Sequence, residues 1–273
     1  MRKIWMLTIL LMTFFSMFTF SFAANSVSFE QGTIEATGIG LPPSGTYGTQ
    51  GTALAKRAAI VDAYRNLAEI IQGVQVNSTT TIHNLQIESD VVQTKVSSLI
   101  QGAKIVGEAA RPDGSYQVTM QLPMYGSNSL AAVVYPAIMA EKAPEPLPAP
   151  SSPAALSNSQ HYTGVIVDAR GLGLEPTFSP GIYDESGRHI YGHKYIDADY
   201  AIQYGMVEYT INDAMYAEAV NGKARAGSSP LIVRAVGIKD RCNVIISVEE
   251  ADKIISASQA DNFLARCAVV FSR

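Results

Sequence analysis

Cysteine is scarce in this 273-residue chain, with only Cys242 and Cys267, and tryptophan occurs once. Two thiols permit one bridge, so the chain is not a small disulfide-stapled scaffold and must stand on hydrophobic cores. Positive charge is also in short supply: 20 Lys and Arg face 24 Asp and Glu, a formal net charge of −4, with no basic cluster. Phosphate recognition needs local Lys and Arg, which argues against nucleic-acid binding and against a basic membrane-surface patch. The Gly-x-Ser-x-Gly elbow of many hydrolases and the Walker loop are both missing. Gly38-Ile39-Gly40 and Gly171-Leu172-Gly173 lack the third glycine and following helix of a dinucleotide loop.

One long apolar run is present, from Ile4 to Phe22, behind Arg2 and Lys3 and ending in Ser21-Phe22-Ala23-Ala24. It reads as an export signal cut after Ala23. Removing residues 1–23 takes both bases with it and moves the net charge to −6. No later segment is apolar enough to span a bilayer. Composition shifts again at 142–160, where four prolines alternate with other residues from Pro144 to Pro150. Ser129 to Lys142 is helix-like but contains Pro136, so 128–160 is expected to be one helical and Pro-rich linker. Residues 24–127 and 161–273 remain, each of ordinary domain size.

In the first half, Gly32–Gly40 alternates as a short strand, and the periodicity over 52–72 predicts a helix. Its stripe is Leu54, Ala58, Val61, Ala68 and Ile71, with Ile60, Tyr64 and Leu67 beside it, and Gly73 is placed as a left-handed cap. Val74–His83, rich in Val and Thr, predicts a strand, and 88–101 a second helix ending at Gly102. Ala103–Arg111, Pro112-Asp113-Gly114 and alternating Tyr116, Val118, Met120 and Leu122 spell a β-hairpin. Strands with helices on one face give the α+β class.

The helix sequence Ala55-Lys56-Arg57-Ala58-Ala59-Ile60-Val61-Asp62-Ala63-Tyr64-Arg65-Asn66-Leu67-Ala68, followed by Gly73-Val74-Gln75-Val76, Ser98-Leu99-Ile100-Gln101-Gly102-Ala103 and Gly114–Pro123, resembles the Lpp-twenty family of bacterial lipoproteins. It is more distantly similar to the N-terminal domain of flagellar assembly protein T. The resemblance covers about residues 30–125. It implies a small α+β envelope domain without enzymatic activity, in some members attached to the outer membrane or the flagellar basal body. Lipoproteins carry an acylated Cys directly after the cleavage site, whereas this chain has Ala24 and Asn25 there and no Cys before 242. A non-lipidated member, exported to the periplasm and peripheral to the outer membrane through a partner, is therefore expected.

In the second half Tyr162–Asp168 reads as a strand, and 181–191 as a hairpin turning at Asp184-Glu185-Ser186-Gly187. Leu231–Ile238, Asn243–Val248 and Ala268–Phe271 read as three more strands. Ser247 and Glu250 have capping-box spacing, and Ala251, Ile254, Ile255 and Ser258 share a helix face. That pattern is a βαβ unit with its two strands parallel. Cys242 and Cys267 each stand just before one of these strands. If the strands are neighbours, about 4.8 Å apart, the pair is placed for a disulfide; the competing reading is two buried free thiols acting as small apolar side chains. The fold expected overall is two small α+β domains, each a sheet with helices packed on it, joined by the Pro-rich linker.

His189 and His193 are four apart, but in a hairpin rather than a helix. With Asp184, Glu185, Asp197 and Asp199 they read as a solvated loop, not a metal site. Glu249, Glu250 and Asp252 read as first-turn acids facing a helix macrodipole, and Asn77-Ser78-Thr79 as a strand edge. The tyrosines Tyr183, Tyr191, Tyr195, Tyr200, Tyr204 and Tyr209 crowd one region; tyrosine is an ordinary way to close a small β core, and it is also enriched at protein interfaces and carbohydrate-facing surfaces. The first five of these are the interface candidates. No catalytic, metal or cofactor site is expected. The expected partners are other envelope or flagellar basal-body proteins, or a second copy of the chain. The alternative is a secreted enzyme, or a glycan- or lipid-binding module, with its site in the Tyr-rich second half.

Overall fold

The computed structural model describes residues 25–139, 144–151 and 161–273. The expected export signal lies outside the described residues. The first module is an antiparallel sheet of β1 (Ser26–Ser28), β2 (Thr33–Gly40), β3 (Lys104–Ala110) and β4 (Tyr116–Pro123), in the order β1-β2-β4-β3. The β3–β4 hairpin turns where expected, with Gly114 at φ +84°.

Helix α1 (Gly48–Gly73) packs on this sheet through Gly51, Ala55, Ala59, Ala63, Leu67 and Ile71, one residue in four. The expected stripe is thus rotated, since Ala58 and Val61 face solvent. The reason is close backbone approach. A Cβ on Gly38 would lie 2.1 Å from the Ala63 nitrogen, and one on Gly40 would lie 2.1 Å from the Ala55 oxygen. Only small residues on both surfaces permit that contact. Gly73 lies inside α1 without positive φ, so it is not a left-handed cap.

The strand expected over 74–83 reduces to one bridge, Gln75 with Thr81. The Asn77 side chain accepts from the Thr79 and Thr80 amides, both at 2.9 Å, and folds the segment back. Thr81 and Asn84 then cap each other reciprocally and start α2 (Ile82–Glu88), which leads into α3 (Asp90–Gln101). The Gln75 and Val76 carbonyls receive the Phe178 and Ser179 amides of the second half, at 3.2 and 2.7 Å.

Helix α4 (Ala131–Ile138) corrects the linker reading of 128–139, because Leu130, Ala131, Val133, Val134 and Tyr135 are buried. A helix this apolar all round belongs inside.

The second module has strands β5 (Gly164–Asp168), β6 (Ile182–Asp184), β7 (His189–Tyr191), β8 (Glu208–Thr210), β9 (Pro230–Arg234), β10 (Gly237–Lys239), β11 (Asn243–Ile246) and β12 (Val269–Ser272). They form two sheets: an all-parallel one in the order β8-β12-β5-β9, and a mixed one in the order β10-β11-β6-β7. Its helices are α5 (Ala198–Tyr204), α6 (Asp213–Glu218) and α7 (Val248–Asp261). The strand expected over 231–238 divides between the sheets. The Ala235 amide bonds to Asp168 O at 2.9 Å, and the next amide, Val236, to Ile245 O in the other sheet at 2.8 Å. Helix α7 starts at the expected Ser247 cap, with Ser247 Oγ accepting from the Glu250 amide at 3.2 Å. It leads from β11 in one sheet to β12 in the other, so those strands are not neighbours. The βαβ pairing is corrected accordingly.

The two halves read from the sequence share one core. Phe29 meets Phe178 and Tyr209 edge-on at 5.6 and 5.9 Å. The buried Tyr135 hydroxyl donates to Phe178 O at 2.8 Å and accepts from the Met206 amide at 3.1 Å. Arg273 closes the rim on Glu30 at 2.7 Å.

Candidate binding faces of the second module

The crowded tyrosines separate by depth. Tyr191 and Tyr209 are fully buried; Tyr191 donates to Met206 O at 2.6 Å, and the Tyr209 hydroxyl accepts from the Thr177 amide at 3.1 Å. Burial holds both hydroxyls well above the usual tyrosine range. Tyr195 is buried and donates to His189 O at 3.0 Å. Tyr191 and Tyr195 are therefore withdrawn from the surface, and Tyr183 is half-buried. Tyr200 and Tyr204 remain, 39 % and 54 % exposed.

These two stand four apart on α5 and so project from one face. Asp197 caps the helix start by accepting from the Asp199 amide at 2.9 Å, Ala201 anchors the buried side, and Gly205 at φ +81° ends it. The rings overlook a cavity of about 790 Å³ whose wall includes Tyr162, Glu208, Arg225, Asp261 and Arg266. Arg225 donates to Gly205 O at 2.6 Å and to Tyr204 O, while its amide bonds Glu208 at 2.8 Å. Asp261 accepts from the Tyr162 amide at 2.8 Å and pairs with His161 at 2.7 Å. That hydrogen bond raises the His161 pKa and lowers that of Asp261. The wall is thus fixed, and the two rings on it present broad apolar faces with polar tips. A second cavity, of about 730 Å³, lies between α3 and α4 and is lined by Lys95, Leu99, Lys104 and Val133.

Tyr183 belongs to a ladder of rings. Lys239 stands 4.3 Å over its face, and His189 stacks on it at 4.5 Å and 16°. Tyr195 follows at 5.3 Å from His189, with Lys194 over Tyr195 at 4.7 Å. Burial, reinforced by Lys194, lowers the His189 pKa from 6.5 to about 4, and burial lowers that of His193 as well. A histidine whose folded pKa lies below its unfolded value contributes stability above pH 6.5, which is lost as the pH falls from 6.5 to 4. The loss due to His189 is expected to reach about 3 kcal/mol. Urea midpoints between pH 7 and pH 4 measure it. His189→Phe, which keeps a ring but cannot titrate, is expected to flatten the decline.

Among the described residues no three His, Cys, Asp or Glu converge on one point. His193 Nδ1 lies 3.1 Å from Ser179 Oγ. Asp252 is not simply a first-turn acid. It is buried and pairs with Arg188 at 2.6 Å, and the same guanidinium reaches the buried Asp184 at 2.9 Å. Glu249 pairs with Lys253 at 2.6 Å.

Cys242 and Cys267 are free and buried. Burial pushes the Cys267 thiol up to about 11 and also raises that of Cys242. The expected disulfide is corrected with the strand adjacency it required.

The fold defines a protein of two α+β modules that share one core. Residues 43–123 match the LPP20 lipoprotein family. Residues 164–272 match the family described as Treponema pallidum Tp0624, second domain. The resemblance read in the first half thus holds over residues 43–123, and each module is similar to a different family. No curated protein matches it. Among the described residues no helix is long and apolar enough to cross a membrane.

Proposed function

We propose that the protein is a non-enzymatic periplasmic component of the envelope that acts by binding other proteins through the face bearing Tyr200 and Tyr204. The partners proposed are other envelope or flagellar basal-body proteins, with self-association as a second route. The observation that carries this reading is the pair of exposed rings beside a cavity whose charged wall is already fixed by internal bonds. Large aromatic surface on a rigid frame is what interface hot spots are made of. The family match to an envelope lipoprotein and the export signal read in the sequence support the compartment.

The test is cross-linking in intact envelopes followed by pull-down of the wild type and of a Tyr200→Ala, Tyr204→Ala double variant. Both side chains are surface-exposed, so the urea midpoint is expected to change little. Recovery of the specific partner is expected to fall at least about tenfold. Equal recovery by both chains would refute the assignment of the face.

A further inference from the structure

The Pro-rich segment, expected to be a free spacer, lies seated on the second module over residues 144–151. Its sequence, Pro144-Glu145-Pro146-Leu147-Pro148-Ala149-Pro150, makes every position either a proline or the residue before one. Proline fixes its own φ and drives its predecessor out of the helical region, so the segment is extended before it touches anything. Proline has no N–H, which leaves the alternate residues to make the contacts. The Glu145 amide donates to Lys194 O at 2.7 Å, and its carboxylate lies 3.3 Å from Lys194 Nζ. Leu147 packs against the shared core. Ala149 O accepts from Arg188 Nη1 at 2.8 Å, and the Ser151 amide donates to Asp252 at 2.8 Å.

The receiving surface is also held by contacts of its own. Arg188 is held by Asp184 through Nε and by Asp252 through one terminal nitrogen, so its other terminal nitrogen is aimed outward at the Ala149 carbonyl. Burying this charge cluster is costly unless every donor is satisfied. The strap carbonyl supplies an acceptor for that donor. A fixed guanidinium, a carboxylate, a main-chain carbonyl and an apolar seat, matched to alternate residues of a preorganised chain, form a recognition surface for proline-rich segments.

We propose that this surface is a binding site for segments of alternating proline, that residues 144–151 occupy it in cis, and that a partner protein carrying such a segment takes their place. The site is separate from the Tyr200 and Tyr204 face and stands or falls independently of it.

The experiment uses two full-length variants: one with residues 144–151 replaced by a Gly/Ser stretch of equal length, and Leu147→Ser, which only loosens the strap. The probe is a fluorescent peptide with the sequence of residues 144–151, followed by anisotropy. Both variants are expected to bind it at least about tenfold more tightly than the unaltered chain, whose own strap competes at a roughly millimolar effective concentration. Peptides with the prolines changed to alanine, or with the leucine changed to serine, are expected not to bind. Concentration-dependent dimers of the unaltered chain that vanish in the Gly/Ser variant would also support the proposal, as strap exchange between copies. The proposal is overturned if neither variant gains affinity, or if the alanine peptide binds as well as the parent. Should the Gly/Ser chain be unfolded, the Leu147→Ser chain decides.

Discussion

Gly38→Ala is expected to cost about 3 kcal/mol or more, from the addition of one methyl group. The new Cβ would sit 2.1 Å from the Ala63 nitrogen and 2.3 Å from the Ala59 oxygen, both main-chain atoms of α1. No rotamer relieves such a clash, so the helix must lift off β2, and Leu67 and Ile71 further along the same stripe lose part of their burial. Gly107→Ala in β3 of the same sheet is the control. Its Cβ would be 3.8 Å from the Thr119 side chain, an ordinary contact, and the change is expected to stay within about 0.5 kcal/mol. Urea midpoints followed by circular dichroism compare the two. Equal midpoints would mean that the helix does not rest on those glycines.

Tyr135→Phe is expected to destabilise both halves together. The hydroxyl serves the Phe178 carbonyl and the Met206 amide, and all three groups are in the interior. Phenylalanine fills the same space but strands an acceptor and a donor, each costing about 1–3 kcal/mol. A total of about 2–6 kcal/mol is expected. Amide exchange read by mass spectrometry locates the effect: β2 and β4 in the first module and β12 in the second are expected to exchange faster together. Acceleration confined to the second module would show that Tyr135 does not couple the two.

What the sequence disclosed was mostly local. The β3–β4 hairpin was legible because Pro112-Asp113-Gly114 sets the turn and the alternation after it sets the faces. The start of α7 was legible from Ser247 and Glu250. The stripe of α1 was misread because hydropathy favours Val61 over Ala59, whereas the facing Gly38 and Gly40 admit only the smaller residue. No local pattern marks Ala235 and Val236 as the point where one apolar run changes sheets, and the misplaced βαβ pairing followed from that kind of blindness. The region of α5, β8 and α6 went unread because each element is too short for its period to show. Composition placed six tyrosines in one region but could not tell Tyr191, whose hydroxyl finds Met206 O inside, from Tyr204, whose ring stays outside. Proline content read as inability to pack, yet a chain made rigid by proline packs well where a surface is already shaped for it.

Two modules matching different families are joined through one core into a single folding unit. Differential scanning calorimetry of the whole chain tests this most directly. One transition is expected, with calorimetric and van't Hoff enthalpies equal, because Phe29, Tyr135 and Phe178 leave neither half a complete core of its own. Two separable transitions, each assignable to one module, would contradict it.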